Sequence, residues 1–237
     1  MYVAIPTPPE RLGECLAAVR ALGFLGVNVT VPHKEKVLPF CDTLAGPAER
    51  VGAVNTIVVG RDGRLVGYNT DVAGFSAALG EAGVPPTGRA VVLGAGGAAR
   101  AVLVALGERG ISPFVVARNA RSAEQLKTLG AVEVLPWTAA ALAKAFAGAT
   151  LVVDATSAGL DAAGEAALPA PLPIELLDSA ALVCSLLYHR EPGWLAAARS
   201  RGLRTKDGVS MLVHQAAAAF TLMTGRPAPL AAMRAVM

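Results

Sequence analysis

The sequence is poor in cysteine, in aromatic residues and in concentrated charge, and it has no long apolar run. Its three cysteines, Cys15, Cys41 and Cys184, are odd in number and widely spaced, which argues for reduced thiols in a cytoplasm. No uninterrupted run of about 18 apolar residues exists, so no membrane span is expected. The net charge of +3 is scattered, with no basic run, so nucleic acid is not indicated as a partner. His33, His189 and His214 lie far apart and outside any Cys/His cluster, so no metal site is expected. No charged N-terminal region leads into an apolar stretch, and no signal peptide is predicted. There is no internal repeat.

What is present suits an α/β enzyme of one or two domains: 237 residues, 54% hydrophobic, with 25 glycines. The organising stretch is 91–100, V-V-L-G-A-G-G-A-A-R. An apolar run meets Gly94, Ala95, Gly96 and Gly97, and small helix formers follow from Ala98. Strand, tight turn and helix in that order let the backbone approach a pyrophosphate and hold it on free helix N–H groups. The same pattern also serves a glycine turn that merely packs a helix on a strand. The next strand, 113–117, ends at Arg118, with Arg121 close behind. An NAD site usually has Asp or Glu there, about 20 residues past the first glycine. A guanidinium instead suits a 2′-phosphate, and the cofactor read from the residues is NADP. The alternative for both arginines is plain solvation at a strand end.

Taken in order, residues 1–5 read as a strand and 10–22 as an amphipathic helix with Leu12, Leu16, Val19 and Ala21 inward. Residues 27–31 read as a strand whose polar face carries Asn28 and Thr30, and Pro32 as a helix start followed by Lys34. A lysine in a first helical turn opposes the dipole, which hints at function rather than solvation. Residues 41–51 read as a polar connection, 54–59 and 65–68 as a hairpin, and 69–71 as the cap of a helix to about residue 82. Asn or Asp at such a point serves as a cap or as a catalyst. A hinge or domain boundary is placed at 83–88, around Pro85-Pro86. Strands at 90–93, 113–117, 132–135, 150–154 and 182–187 alternate with helices at 97–108, 121–129, 138–146 and 194–201, which predicts a parallel sheet. The polar loop 155–159 ends a strand, as cofactor-cleft loops do, and 161–173 reads as a Pro/Ala/Gly loop. A last helix, 211–224, carries His214-Gln215 among apolar residues, and Gln215 is open to a core role.

Together these motifs resemble shikimate dehydrogenase. The resemblance rests on G-V-N-V-T-V-P-H-K at 26–34, G-A-V-N-T at 52–56, G-Y-N-T-D at 67–71, G-A-G-G-A-A-R at 94–100, A-T-S-A-G at 155–159 and G-V-S-M-L-V-H-Q at 208–215. It implies a substrate domain at 1–86, completed by 207–237, and a doubly wound Rossmann-type NADP domain at 87–206. It implies reduction of 3-dehydroshikimate to shikimate. By the same resemblance Lys34 is the catalytic lysine and Asp71 its partner carboxylate. Thr30, Asn55, Tyr188 and Gln215 are implied to bind substrate. Gly94, Ala95, Gly96, Gly97, Ala98, Arg118, Arg121, Thr156, Gly208 and Met211 are implied to bind or adjoin the cofactor. Which of Lys34 and Asp71 moves the proton stays open, as does the choice between monomer and homodimer.

Departures from the family pattern frame the rivals. Ala117 and Asn119 flank Arg118 where Asn and Thr are usual, Ser185 stands for Asp and Arg190 for Pro. The family's first strand and helix, with two serines for the substrate carboxylate, are absent from this sequence. One rival is a quinate or shikimate dehydrogenase using NAD. The other is a non-catalytic NADP-binding protein.

Overall fold

A computed structural model describes residues 1–83, 88–130, 132–159, 168 and 171–237. The expected boundary at 83–88 and the loop at 161–173 fall largely outside the described residues.

The first half builds a four-stranded sheet. Helix α1 (Leu12–Ala21) precedes β1 (Gly26–Asn28), β2 (Thr43–Leu44), the short α2 (Ala48–Val51), β3 (Thr56–Val59), β4 (Leu65–Tyr68) and α3 (Asp71–Glu81). The strand order is β1-β3-β4-β2; β3 pairs antiparallel with both neighbours, while β2 joins β4 in parallel. Leu12 and Leu16 of α1 pack with Val29, Val54 and Ile57.

The second half alternates strand and helix: β5 (Ala90–Leu93), α4 (Gly97–Gly107), β6 (Phe114–Ala117), α5 (Ala120–Gln125), β7 (Glu133–Pro136), α6 (Ala139–Phe146), β8 (Leu151–Asp154), β9 (Leu182–Ser185), α7 (Gly193–Ser200) and β10 (Arg204–Lys206). All six strands are parallel, in the order β10-β9-β8-β5-β6-β7. β5, β8 and β9 are buried at every position, as strands covered on both faces must be. The order reverses between β5 and β8, so a crevice opens at their carboxyl ends.

Helix α8 (Val209–Thr224) then returns against α3, and α9 (Leu230–Ala235) follows. The approach of α8 to α3 depends on Gly74, where a Cβ would stand 2.8 Å from Gln215 Cβ and 2.9 Å from the Met211 carbonyl oxygen. Glu81 closes this corner by accepting from Ser210 Oγ at 2.5 Å, from His214 Nε2 at 2.8 Å and from Arg234 Nη2. These bonds, Ser210 foremost and then His214, hold the Glu81 carboxyl down at about 2.

Several sequence expectations are corrected. Residues 1–5 form no strand; Tyr2 Oη donates to Asn28 Oδ1, and just beyond the segment the His33 ring meets the Thr7 carbonyl. Ala21 is exposed. The strand expected at 27–31 stops at Asn28, and no helix starts at Pro32. A helix there would use the Lys34 carbonyl for residue 38, but Val54 N–H takes it at 2.7 Å, so 31–37 runs as turns. The argument from a helix dipole at Lys34 therefore falls. The connection 41–51 holds β2 and α2, and β10 and α9 were not expected.

Candidate active site

The centre of the site is a polar network around the start of α3. Asn69 Oδ1 accepts from the N–H groups of Asp71 and Val72, and Asn69 Nδ2 donates to the Ala53 carbonyl. Asn69 is thus the cap, and the Asp71 carboxylate is free for other work. Lys34 Nζ donates to Asp71 Oδ2 at 2.7 Å, and Asn55 Nδ2 donates to Asp71 Oδ1 at 2.8 Å. The pair is largely out of solvent, with 18% of the Lys34 side chain and 6% of that of Asp71 exposed.

Asn55 is fixed from both ends: its Oδ1 accepts from Thr70 N–H at 2.7 Å, and its Nδ2 also reaches Thr70 Oγ1. Gln215 arrives from α8, and its Oε1 lies 3.4 Å from both Asn55 Nδ2 and Thr70 Oγ1. Thr70, Asn69 and Thr56, which donates to Asn55 Oδ1, belong to this network but were not expected as site residues. All three lie inside the motifs at 52–56 and 67–71; Thr56 adjoins Asn55 in sequence, and Thr70 meets it only through the folded hairpin.

Lys34 also borders a cleft of about 430 Å³. Its floor is the loop 94–98 after β5, and one wall is Ala155, Thr156 and Ser157 after β8. Arg118, Asn119, Ser122 and Trp137 also line it. Gly94 needs its glycine: φ is +105°, and a Cβ would stand 2.9 Å from the Ala155 carbonyl oxygen. Helix α4 begins with an extended Gly96 and no side-chain cap, so its first N–H groups remain available to a phosphate. A Cβ on Gly96 would meet nothing within 4 Å. These features, with an exposed guanidinium at Arg118, fit a phosphorylated dinucleotide. The Lys34 stem reaches this loop directly; a Cβ on Gly97 would touch Lys34 Cδ at 3.5 Å.

Asp154, at the end of β8, was not expected in the site. It is 3% exposed, and its Oδ1 accepts from Thr156 N–H at 2.9 Å, which shapes the cleft loop. Burial pushes its carboxyl above the ordinary 3.8, against the lowering effect of the Thr156 hydrogen bonds. The available sequence signal was an acidic residue closing an apolar strand.

The other expected residues stand elsewhere. Thr30 lines a second cavity of about 440 Å³ with Asn28 and His33. Arg121 is exposed in α5, outside the cleft lining. Tyr188 is half exposed, edge-on to His189. Gly208 abuts the end of β9, where a Cβ would overlap the Leu186 carbonyl oxygen, and Met211 is buried in the core with Val72, Phe75 and Cys184. Among the described residues no group of three or more His, Cys, Asp or Glu could hold a metal ion.

Comparison with known proteins decides the family. The family model described as shikimate dehydrogenase substrate binding domain matches residues 1–57, and that described as shikimate 5′-dehydrogenase C-terminal domain matches residues 208–237. A shikimate dehydrogenase (NADP(+)) from Moorella thermoacetica is 44% identical over 246 residues, covering 100% of this chain and 82% of that protein. The chain belongs to the shikimate dehydrogenase family. The crystal structure of the shikimate 5-dehydrogenase from Thermus thermophilus in complex with NADP(H) and shikimate matches with a TM-score of 0.82 and 39% identity, over 97% of this chain and 84% of that one. A quinate dehydrogenase from Corynebacterium glutamicum in complex with NAD matches with a TM-score of 0.84 and 33% identity, over 94% of this chain and 81% of that one. Fold likeness alone therefore does not separate shikimate from quinate enzymes.

Proposed function

We propose that this shikimate dehydrogenase reduces 3-dehydroshikimate reversibly to shikimate with NADPH. The observation that carries the reading is the Lys34–Asp71 pair, held by Asn55 and set against the nucleotide loop at Gly97. NADPH supplies the hydride when bound in the cleft. The Lys34 ammonium then gives a proton to the carbonyl oxygen as it becomes an alkoxide, so ketone, hydride and proton balance to an alcohol. Asp71 keeps the ammonium aimed. Asn55 and Gln215 present amides to ring hydroxyls, and Thr30 and Tyr188 complete the substrate side. The glycine loop, Thr156 and the α4 N-terminus would hold the pyrophosphate, and Gly208 and Met211 would support the cofactor from behind the cleft lining.

Arg118 takes the 2′-phosphate, seconded by Arg121, and no Asp or Glu stands at that strand end to prefer a ribose hydroxyl. Neither the NAD-using rival nor the non-catalytic one is favoured: curated relatives such as the Moorella protein are named as NADP(+) enzymes, and the lysine–carboxylate pair is intact. In this reading residues 1–86 with 207–237 form the substrate part and 87–206 the NADP part. The three free cysteines fit a cytoplasmic setting.

The test is shikimate-dependent NADPH formation by this chain and by Lys34→Ala. Turnover in the parent that falls by about 10²–10⁴-fold in the variant supports the reading. A parent that binds NADP without turnover moves the protein to the non-catalytic reading.

A further inference from the structure

Trp137 is unassigned by everything above, yet the sheet register sets it beside Arg118. Ala117 of β6 pairs with Pro136 of β7, so Arg118 and Trp137 leave neighbouring strands side by side, at an inter-strand spacing of about 4.8 Å. Both line the cleft, together with Asn119 and Ser122. Trp137 also packs on the cluster of Val91, Val116 and Leu142, so it is at once core and cleft wall.

Trp137 Nε1 is buried in protein and has no hydrogen-bond partner among the described residues, so what the side chain offers the cleft is its ring. A purine face stacks well on an aromatic ring. We propose that Trp137 is a cofactor-binding residue of the adenosine 2′-phosphate end, supplying an aromatic wall on which the adenine stacks. The inference rests on the NADP reading and adds to it a residue that neither the glycine motif nor Arg118 implies.

The chain holds two tryptophans, so Trp194→Phe leaves Trp137 as the sole indole reporter. The probe is adenosine 2′,5′-bisphosphate, whose binding to the parent is measured first by calorimetry. A parent that does not bind the probe overturns the NADP reading, and this inference with it. Given binding, a saturable change in Trp137 emission with the calorimetric midpoint is expected. Trp137→Ala should raise the KM for NADP about tenfold, with kcat and the KM for shikimate unchanged. Trp137→Phe, which keeps a smaller aromatic ring, should fall between. Unchanged emission at calorimetric saturation, or an unchanged NADP KM in Trp137→Ala, overturns the assignment while leaving the NADP reading standing. If Trp137→Ala does not fold, the emission titration and Trp137→Phe decide.

Discussion

Lys34 and Asp71 meet at 2.7 Å although 37 residues separate them, and Asn55 occupies the second oxygen of the same carboxylate. Lys34 also lines the cleft, so the pair stands at its edge. Asp71→Asn keeps the shape and removes the charge. The expected outcome is a fall in kcat of about 10²-fold or more with the NADP KM unchanged, read by steady-state kinetics. An equal loss in both parameters would mean that the whole cleft has moved.

Arg118 is exposed at the mouth of the cleft, next to the β6 end. A charge-assisted hydrogen bond to a phosphate contributes about 1.5–3 kcal/mol. Arg118→Ala should thus raise the KM for NADP by about 10–100-fold and leave that for NAD nearly unchanged. Comparing the two cofactors' kcat/KM values checks this. An identical loss with both cofactors would contradict a 2′-phosphate role.

Gly74 holds α3 against α8. Gly74→Ala should overpack that contact at a cost of about 1–3 kcal/mol, lowering Tm by several degrees. Gln215 shares the contact, so the shikimate KM should rise while the NADP KM stays. Thermal unfolding and kinetics on one preparation test both halves.

Asp154 titrates against stability. Its folded carboxyl lies above the ordinary 3.8, so between these two values the folded state holds more proton than the unfolded one. Stability is full below 3.8 and falls as pH rises through that interval up to the raised folded value, then levels off. Asp154→Asn, which can still accept from Thr156 N–H, should lose this slope and melt higher than the parent at neutral pH. A melting temperature with the same pH profile in both proteins would refute the buried-acid account.

Much of the Rossmann half is legible in the sequence, since β5, its glycine turn and α4 are contiguous and their pattern is local. Strands buried on both faces read as apolar runs, and β6, β8 and β9 are found within a few residues for that reason. The first half is harder. The run 27–34 has β-branched residues and a proline that locally suit strand and helix, yet Val54 N–H claims the Lys34 carbonyl and turns the segment. Residues 1–5 look like a strand by composition, but a strand needs a ladder partner, which composition does not supply.

The sequence by itself determined the residue types of the site: the glycines of a phosphate loop, an arginine where an acid is usual, and a lysine and a carboxylate fit for proton transfer. These are properties of single residues and short spacings. Only the tertiary structure decided that Lys34, Asn55, Asp71 and Gln215 share one network, that Asn69 rather than Asp71 caps α3, and that Trp137 stands beside Arg118. Each of these follows from which strands pair, in what register, and how closely α8 packs on α3, and such long-range choices are set by burial summed over the whole chain.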